Sequence, residues 1–184
     1  MNRWGTTGLA RAAAAIMVLV ALSQFPAAAS SLTCPMQQAR EVSFRNATAK
    51  DVLEVSIGTG PCERATLTIV IRSDVGHILY SYVAPFKQHV ADWDVPELDK
   101  DARQFVDGLI SQGVESTASL PPWEEPDAYE EKHAGHIDVS REIYEELRAK
   151  PRPMLSHPTY YEGWKSVVYD ERAGESVVLV TGGV

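Results

Sequence analysis

The chain is poor in cysteine, with two in 184 residues, and it has no apolar run approaching the ~20 residues a membrane-spanning helix needs. The longest, Ala12 to Leu22 (AAAAIMVLVAL), stops well short of that length. Several chemical signatures are also missing. No Gly-x-Ser-x-Gly elbow presents a nucleophilic serine. No His-Glu-x-x-His pattern places a catalytic base between two zinc ligands. Gly58-Thr59-Gly60 is followed by Pro61 rather than by Lys-Ser or Lys-Thr, so these glycines make a turn and not a phosphate loop. There are no internal repeats at solenoid periods. Ser116, Asp127 and His157 could be named as a triad, but nothing in their spacing ties them together. Catalytic residues are therefore assigned to none, and no cofactor is expected.

What is present begins with an export pattern. Arg3 and Arg11 precede and enter the apolar stretch, and Ala27-Ala28-Ala29 supplies the small residues of a cleavage site. Residues 1–29 are read as a cleaved signal peptide, and residues 30–184 as a single α+β domain. The mature protein is expected in the periplasm or outside the cell, with no stable membrane insertion after cleavage. Acids outnumber bases, 25 Asp and Glu against 17 Lys and Arg. Loss of the signal removes two arginines and no acid, which leaves a formal charge of about −10. Such a surface repels nucleic acid and favours a cationic protein or ligand. The same balance also serves plain solubility. Oligomeric state is not encoded in any pattern here.

Export places Cys34 and Cys62 in an oxidising compartment, where an even count argues for one disulfide. Metal or redox work would need closer spacing or a third ligand. The loop closed, roughly 29 residues, corresponds to about 3.5 kcal/mol in the chain-entropy picture. It would clamp the N-terminal arm to the start of the central hairpin.

That hairpin is the clearest strand signal. Arg64 to Arg72 (RATLTIVIR) and His77 to Val83 (HILYSYV) flank Ser73-Asp74-Val75-Gly76. With Arg72 opposite His77, Ile71 meets Ile78, Ile69 meets Tyr80 and Leu67 meets Tyr82 on one buried face. Ala39 to Arg45 reads as an edge strand with Val42 and Phe44 on one side. Asp51 to Ile57 is a stronger one, with Leu53, Val55 and Ile57 inward. Ala84 to Glu97 is irregular and carries His89 and Trp93. Ala102, Phe105, Val106, Leu109 and Ile110 recur at helical spacing over Asp99 to Gln112, with Asp99 as N-cap and Gly113 as terminator. Ser116 to Asp138 reads as a long acidic loop. Ser140 caps a second helix, Arg141 to Lys150, with Ile143, Tyr144 and Leu147 inward and Pro151 and Pro153 as its stop. A last hairpin joins Lys165–Tyr169 to Ser176–Val180. The expected fold is an α+β antiparallel sheet of about five to six strands with two α-helices on one face.

Two constellations offer chemistry. Trp123, Glu124, Glu125, Tyr129 and Glu130 set aromatic rings beside carboxylates, a composition suited to contact with a cationic protein or ligand. His133, His136 and Asp138 offer imidazoles three apart and a carboxylate, a candidate metal set. The leading expectation is a non-catalytic exported binding protein. The alternatives are a small metal-assisted hydrolase at His133 and His136, and an envelope structural protein without separate activity.

Overall fold

A computed structural model of the chain describes residues 34–90 and 98–183. The export segment and Trp93 lie outside the described residues, as does the side chain of Asp99. Among the described residues no helix is long and apolar enough to cross a membrane.

The fold is α+β, as expected, but it is built on two antiparallel sheets rather than one. The first has the order β1-β2-β3-β4, from β1 (Met36–Val42), β2 (Asp51–Ile57), β3 (Thr66–Arg72) and β4 (Ile78–Pro85). Strict alternation buries Asp51, Leu53, Val55 and Ile57 on β2 and turns Val52, Glu54 and Ser56 outward. Leu67, Ile69 and Ile71 on β3 extend the same apolar face. Helix α1 (Leu98–Gln112) lays Ala102, Val106 and Leu109 into this core and ends at Gly113, whose φ of 64° is the left-handed terminator the sequence implied. Arg40 on β1 donates to the Ile110 and Ser111 carbonyls at 3.0 and 2.8 Å, satisfying two groups the last helical turn leaves open. Cys34 and Cys62 form the expected disulfide, both fully buried, with Cα atoms 5.0 Å apart. This bond fits an oxidising compartment.

The central hairpin forms, with a different register. Arg72 pairs with Ile78, Ile71 with Tyr80, Ile69 with Tyr82 and Leu67 with Ala84, with an irregularity between Ile71 and Arg72. The turn is the cause. Ser73 accepts through its carbonyl from Gly76 N and through Oγ from His77 N, while its own N–H donates to His77 O. That closure takes in one more residue on the β4 side, and the irregularity between Ile71 and Arg72 takes in a second. Because the shift is two residues, Tyr80 and Tyr82 keep the inner face. Ile78 is lost from the core and is 59% exposed.

The second sheet has the order β5-β7-β8-β9-β6. It consists of β5 (Glu115–Ser116), β6 (Gly135–Ile137), β7 (Pro153–Pro158), β8 (Trp164–Asp170) and β9 (Glu175–Gly182). Both of its faces are covered. Leu155 and Val167 join the core shared with the first sheet and α1. Met154, Val168, Leu179 and Val180 join a second core, roofed by α2 (Pro126–His133) and α3 (Arg141–Ala149).

Three further expectations are corrected. The stretch from Ser116 to Asp138 is not a long loop. It contains α2 and β6, with Pro126 in the first helical turn and Ala134 closing the helix at φ 48°. Pro153, read only as part of a helix stop, is the first residue of β7, and Pro158 is its last, so the interior ladder stays intact. Ser140 does cap α3, accepting from Ile143 N at 3.4 Å, and Tyr144 and Leu147 are buried. Ile143, expected inward, is 48% exposed.

The register makes a contrast that denaturant melts can read. Ile71→Ala should cost about 3 kcal/mol by cavity formation, and Ile78→Ala less than about 0.5 kcal/mol. Equal losses would restore the sequence-derived pairing.

Candidate functional site

The acidic aromatic segment is placed differently from its sequence reading. Trp123 packs edge-on against Tyr144 with ring centroids 5.5 Å apart, and Tyr129 is 2% exposed between the rings of His133 and Tyr144. Tyr129 belongs to the second core, and Trp123 is half-buried against it. Glu124, just before α2, turns onto the end of that helix, 2.5 Å from Lys132 Nζ and 3.8 Å from His133 Nε2. Glu125 and Glu130 are exposed. His133 ends α2, His136 sits mid-strand on β6 opposite Thr181, and Asp138 follows that strand. Among the described residues, no group of three His, Cys, Asp or Glu side chains is gathered as a metal ion would require.

A cleft lies one step along the same segment. It has a volume of about 640 Å³ and is lined by Glu130, Glu131, His136, Tyr160, Trp164 and Thr181. Four elements supply its walls. The carboxylates come from the last turn of α2 and the imidazole from β6. Trp164 is the first residue of β8, and Tyr160 comes from the connection between β7 and β8, where Thr159 N donates to Gly163 O at 2.8 Å and Gly163 N to Tyr160 O at 3.2 Å.

Glycine sets the position of both rings. A Cβ at Gly163 would collide with the Tyr160 ring, and one at Gly182 with the Trp164 indole. At Gly135 a Cβ would stand 3.3 Å from Trp164 Cζ2 and 3.1 Å from Thr181 O. The rings thus lie directly on backbone. Tyr160 keeps 43% of its surface open.

Beside the cleft, a polar network joins the two sheets. Tyr80 Oη is 2.6 Å from His157 Nε2, and His157 Nδ1 is 2.8 Å from the Pro158 carbonyl. A carbonyl only accepts, so Nδ1 carries the proton and the Tyr80 hydroxyl donates to Nε2. Tyr82 donates to Thr159 O at 2.6 Å, and His89 Nε2 lies 3.3 Å from the same hydroxyl. Among the described residues, His89 Nδ1 is buried with no side-chain hydrogen-bond partner. Lys165 Nζ stands over both tyrosine rings, 5.6 Å from the centroid of Tyr80 and 4.9 Å from that of Tyr82. Burial lowers the pKa of His157 to about 4 and also lowers those of His89 and Lys165. The phenols of Tyr80 and Tyr82 move up for the same reason.

No protein-family model matches the chain, and no curated protein and no solved structure matches it. Functional inference therefore rests on this geometry.

Sequence reasoning did not assemble the pieces that matter most. Tyr160 and Trp164 were visible as part of the aromatic-glycine run Tyr160-Tyr161-Glu162-Gly163-Trp164. Their meeting with Glu130 and Glu131 depends on β6 pairing with β9, which brings residue 135 to residue 182. Of the predicted contact residues only Glu130 reaches the cleft, and of the predicted metal set only His136.

Two measurements follow. Trp123→Ala and Tyr129→Ala should each lower stability by about 3–5 kcal/mol, read in denaturant melts, because both remove packed rings. Acid should weaken the fold through His157. Its folded pKa lies below the ordinary 6.5, so the unfolded chain binds the extra proton first. Stability is complete above about pH 6.5 and falls as pH drops towards 4, by up to about 3 kcal/mol. His157→Gln should flatten that part of the stability–pH curve.

Proposed function

We propose that the protein is an exported, non-catalytic binding protein that takes a cationic ligand, or a lysine or arginine side chain of a partner protein, in the cleft between α2 and the β7–β8 connection. One observation carries this reading: the glycine-backed rings of Tyr160 and Trp164 share one open cleft with the carboxylates of Glu130 and Glu131. Aromatic faces attract cations through their quadrupole, and carboxylates add charge-assisted hydrogen bonds. The cleft volume falls within the range usual for small-ligand sites. The net negative charge supports capture of a cation over distance. Export is supported by the N-terminal charge, apolar stretch and alanine triplet, together with the disulfide. The final location is the periplasm or the medium.

This moves the contact surface from the sequence-derived choice. Trp123 and Tyr129 contribute packing, and the binding role passes to Tyr160 and Trp164.

A tetralysine peptide serves as probe, with binding followed by calorimetry and by tryptophan fluorescence. Affinity should fall at least tenfold in the double variant Glu130→Gln/Glu131→Gln. It should also fall steeply towards 0.5 M salt, where screening shortens to roughly 4 Å. Gly163→Ala should displace Tyr160 and weaken binding about fivefold, at a stability cost near 1 kcal/mol. No binding to the wild type at millimolar peptide, or equal affinity in the double variant, would remove the cleft from consideration.

A further inference from the structure

The β7–β8 connection that carries Tyr160 is tied to the first sheet by two tyrosines of one strand. Tyr80 reaches His157 at the end of β7, and Tyr82 reaches Thr159 O at the start of the connection. His89 in turn contacts the Tyr82 hydroxyl. His157 is 2% and His89 6% exposed. The histidine rings also stack in this cluster, with Tyr82 and His157 centroids 4.7 Å apart and His89 edge-on to Phe105 at 5.5 Å.

We propose that the Tyr80–His157 and Tyr82–His89 contacts form an acid-sensitive latch that holds residues 159–163 closed, and with them the aromatic wall of the cleft. The reason lies in the proton inventory. In the closed form His157 Nε2 must accept, because Nδ1 already donates to Pro158 O. A second proton turns Nε2 into a donor, so the Tyr80 hydroxyl must give up its own donation and accept instead. The imidazolium is then buried beside a cation already present, Lys165, with His89 also near. From β4 the facing groups are Tyr80 and Tyr82, from the turn after it His89, from β8 Lys165, and from α1 the apolar Phe105. Glu162 shares a shallow depression with His157 but sits in the exposed connection and forms no ion pair with it among the described residues. Among the described residues no carboxylate pairs with the new charge, so it is relieved by letting water in. The hydrogen bonds that would have to open are those anchoring residues 157 to 159.

The latch itself is independent of any ligand, whereas its consequence, release of the cation at acid pH, rests on the reading of the cleft given above. Opening is linked to proton uptake and rises by up to roughly tenfold per pH unit below 6.5 for His157.

Amide exchange separates the two levels. In the wild type without ligand, protection at the amides of Thr159, Tyr160 and Gly163, corrected for intrinsic rate, should fall at least tenfold between about pH 7.5 and 5. His157→Gln keeps a neutral polar group at this position and should lose most of that response. Tyr80→Phe should leave the amides poorly protected already at about pH 7.5. With tetralysine as probe, wild-type affinity should fall over the same interval and the fall should persist in His136→Gln, since His136 lines the cleft and would itself repel a cation when protonated. Protection that is independent of pH, or a response unchanged in His157→Gln, overturns the latch. An affinity change abolished by His136→Gln overturns its link to binding. Normal latch behaviour with no tetralysine binding at any pH overturns the cleft reading alone.

Discussion

The sheet of β7, β8 and β9 is apolar on both faces, and the rest of the molecule is arranged to cover it. Leu155 and Val167 need the first sheet and α1 on one side, while Met154, Val168 and Leu179 need α2 and α3 on the other. A strand buried on two sides cannot slip by one residue to hide a polar face, because neither side is wet. Each polar side chain on it therefore has to find a partner inside. Ser156 and Ser166 face each other at 2.8 Å, Ser176 Oγ donates to Leu79 O at 2.8 Å across the sheets, and His157 finds Tyr80. The contacts joining the two sheets near the cleft are consequences of that burial.

The first sheet solves a similar problem with a charge. Asp51 is fully buried at the start of β2, where its carboxylate accepts from Phe44 N, Arg45 N and Arg45 Nε at 3.1, 2.8 and 2.7 Å. Arg45 then reaches Asp74 in the hairpin turn at 2.7 Å. Two ion pairs sharing Arg45, with backbone donors to Asp51, thus tie the bend before β2 to the tip of β3–β4. It stabilises by satisfying a carboxylate that would be costly to leave bare.

How far the sequence disclosed this depended on whether the deciding signal was local. Strand β2 has one wet face and one dry face, so its alternation gave both its limits and its orientation. Helix α1 carried a full apolar stripe and a terminating glycine. The disulfide followed from cysteine count and compartment. By contrast, α2 buries only Tyr129, so its periodicity is too faint to separate from a loop. Strand β7 was hidden by prolines that are harmless only at its ends. Ile143 has the right spacing on α3, but it lines an open pocket beside Leu147 and Val168 and stays half-exposed. The cleft was the least legible feature, since it unites residues near 130 with residues near 160 and 182 through a pairing no short window contains.

The glycine backing of Tyr160 and Trp164 divides the cleft into two kinds of position. Rings seated on bare backbone are fixed by the absence of atoms beneath them, so almost any replacement at Gly163 or Gly182 disturbs their seating. The opposite wall is made of solvent-facing side chains on α2 and β6, which carry no such restriction. Under the proposed binding role, affinity for a flat or cationic group and choice among such groups would be written on separate elements. Related chains could diversify what they recognise by exchanging residues at 130, 131 and 136 while the platform stays unaltered.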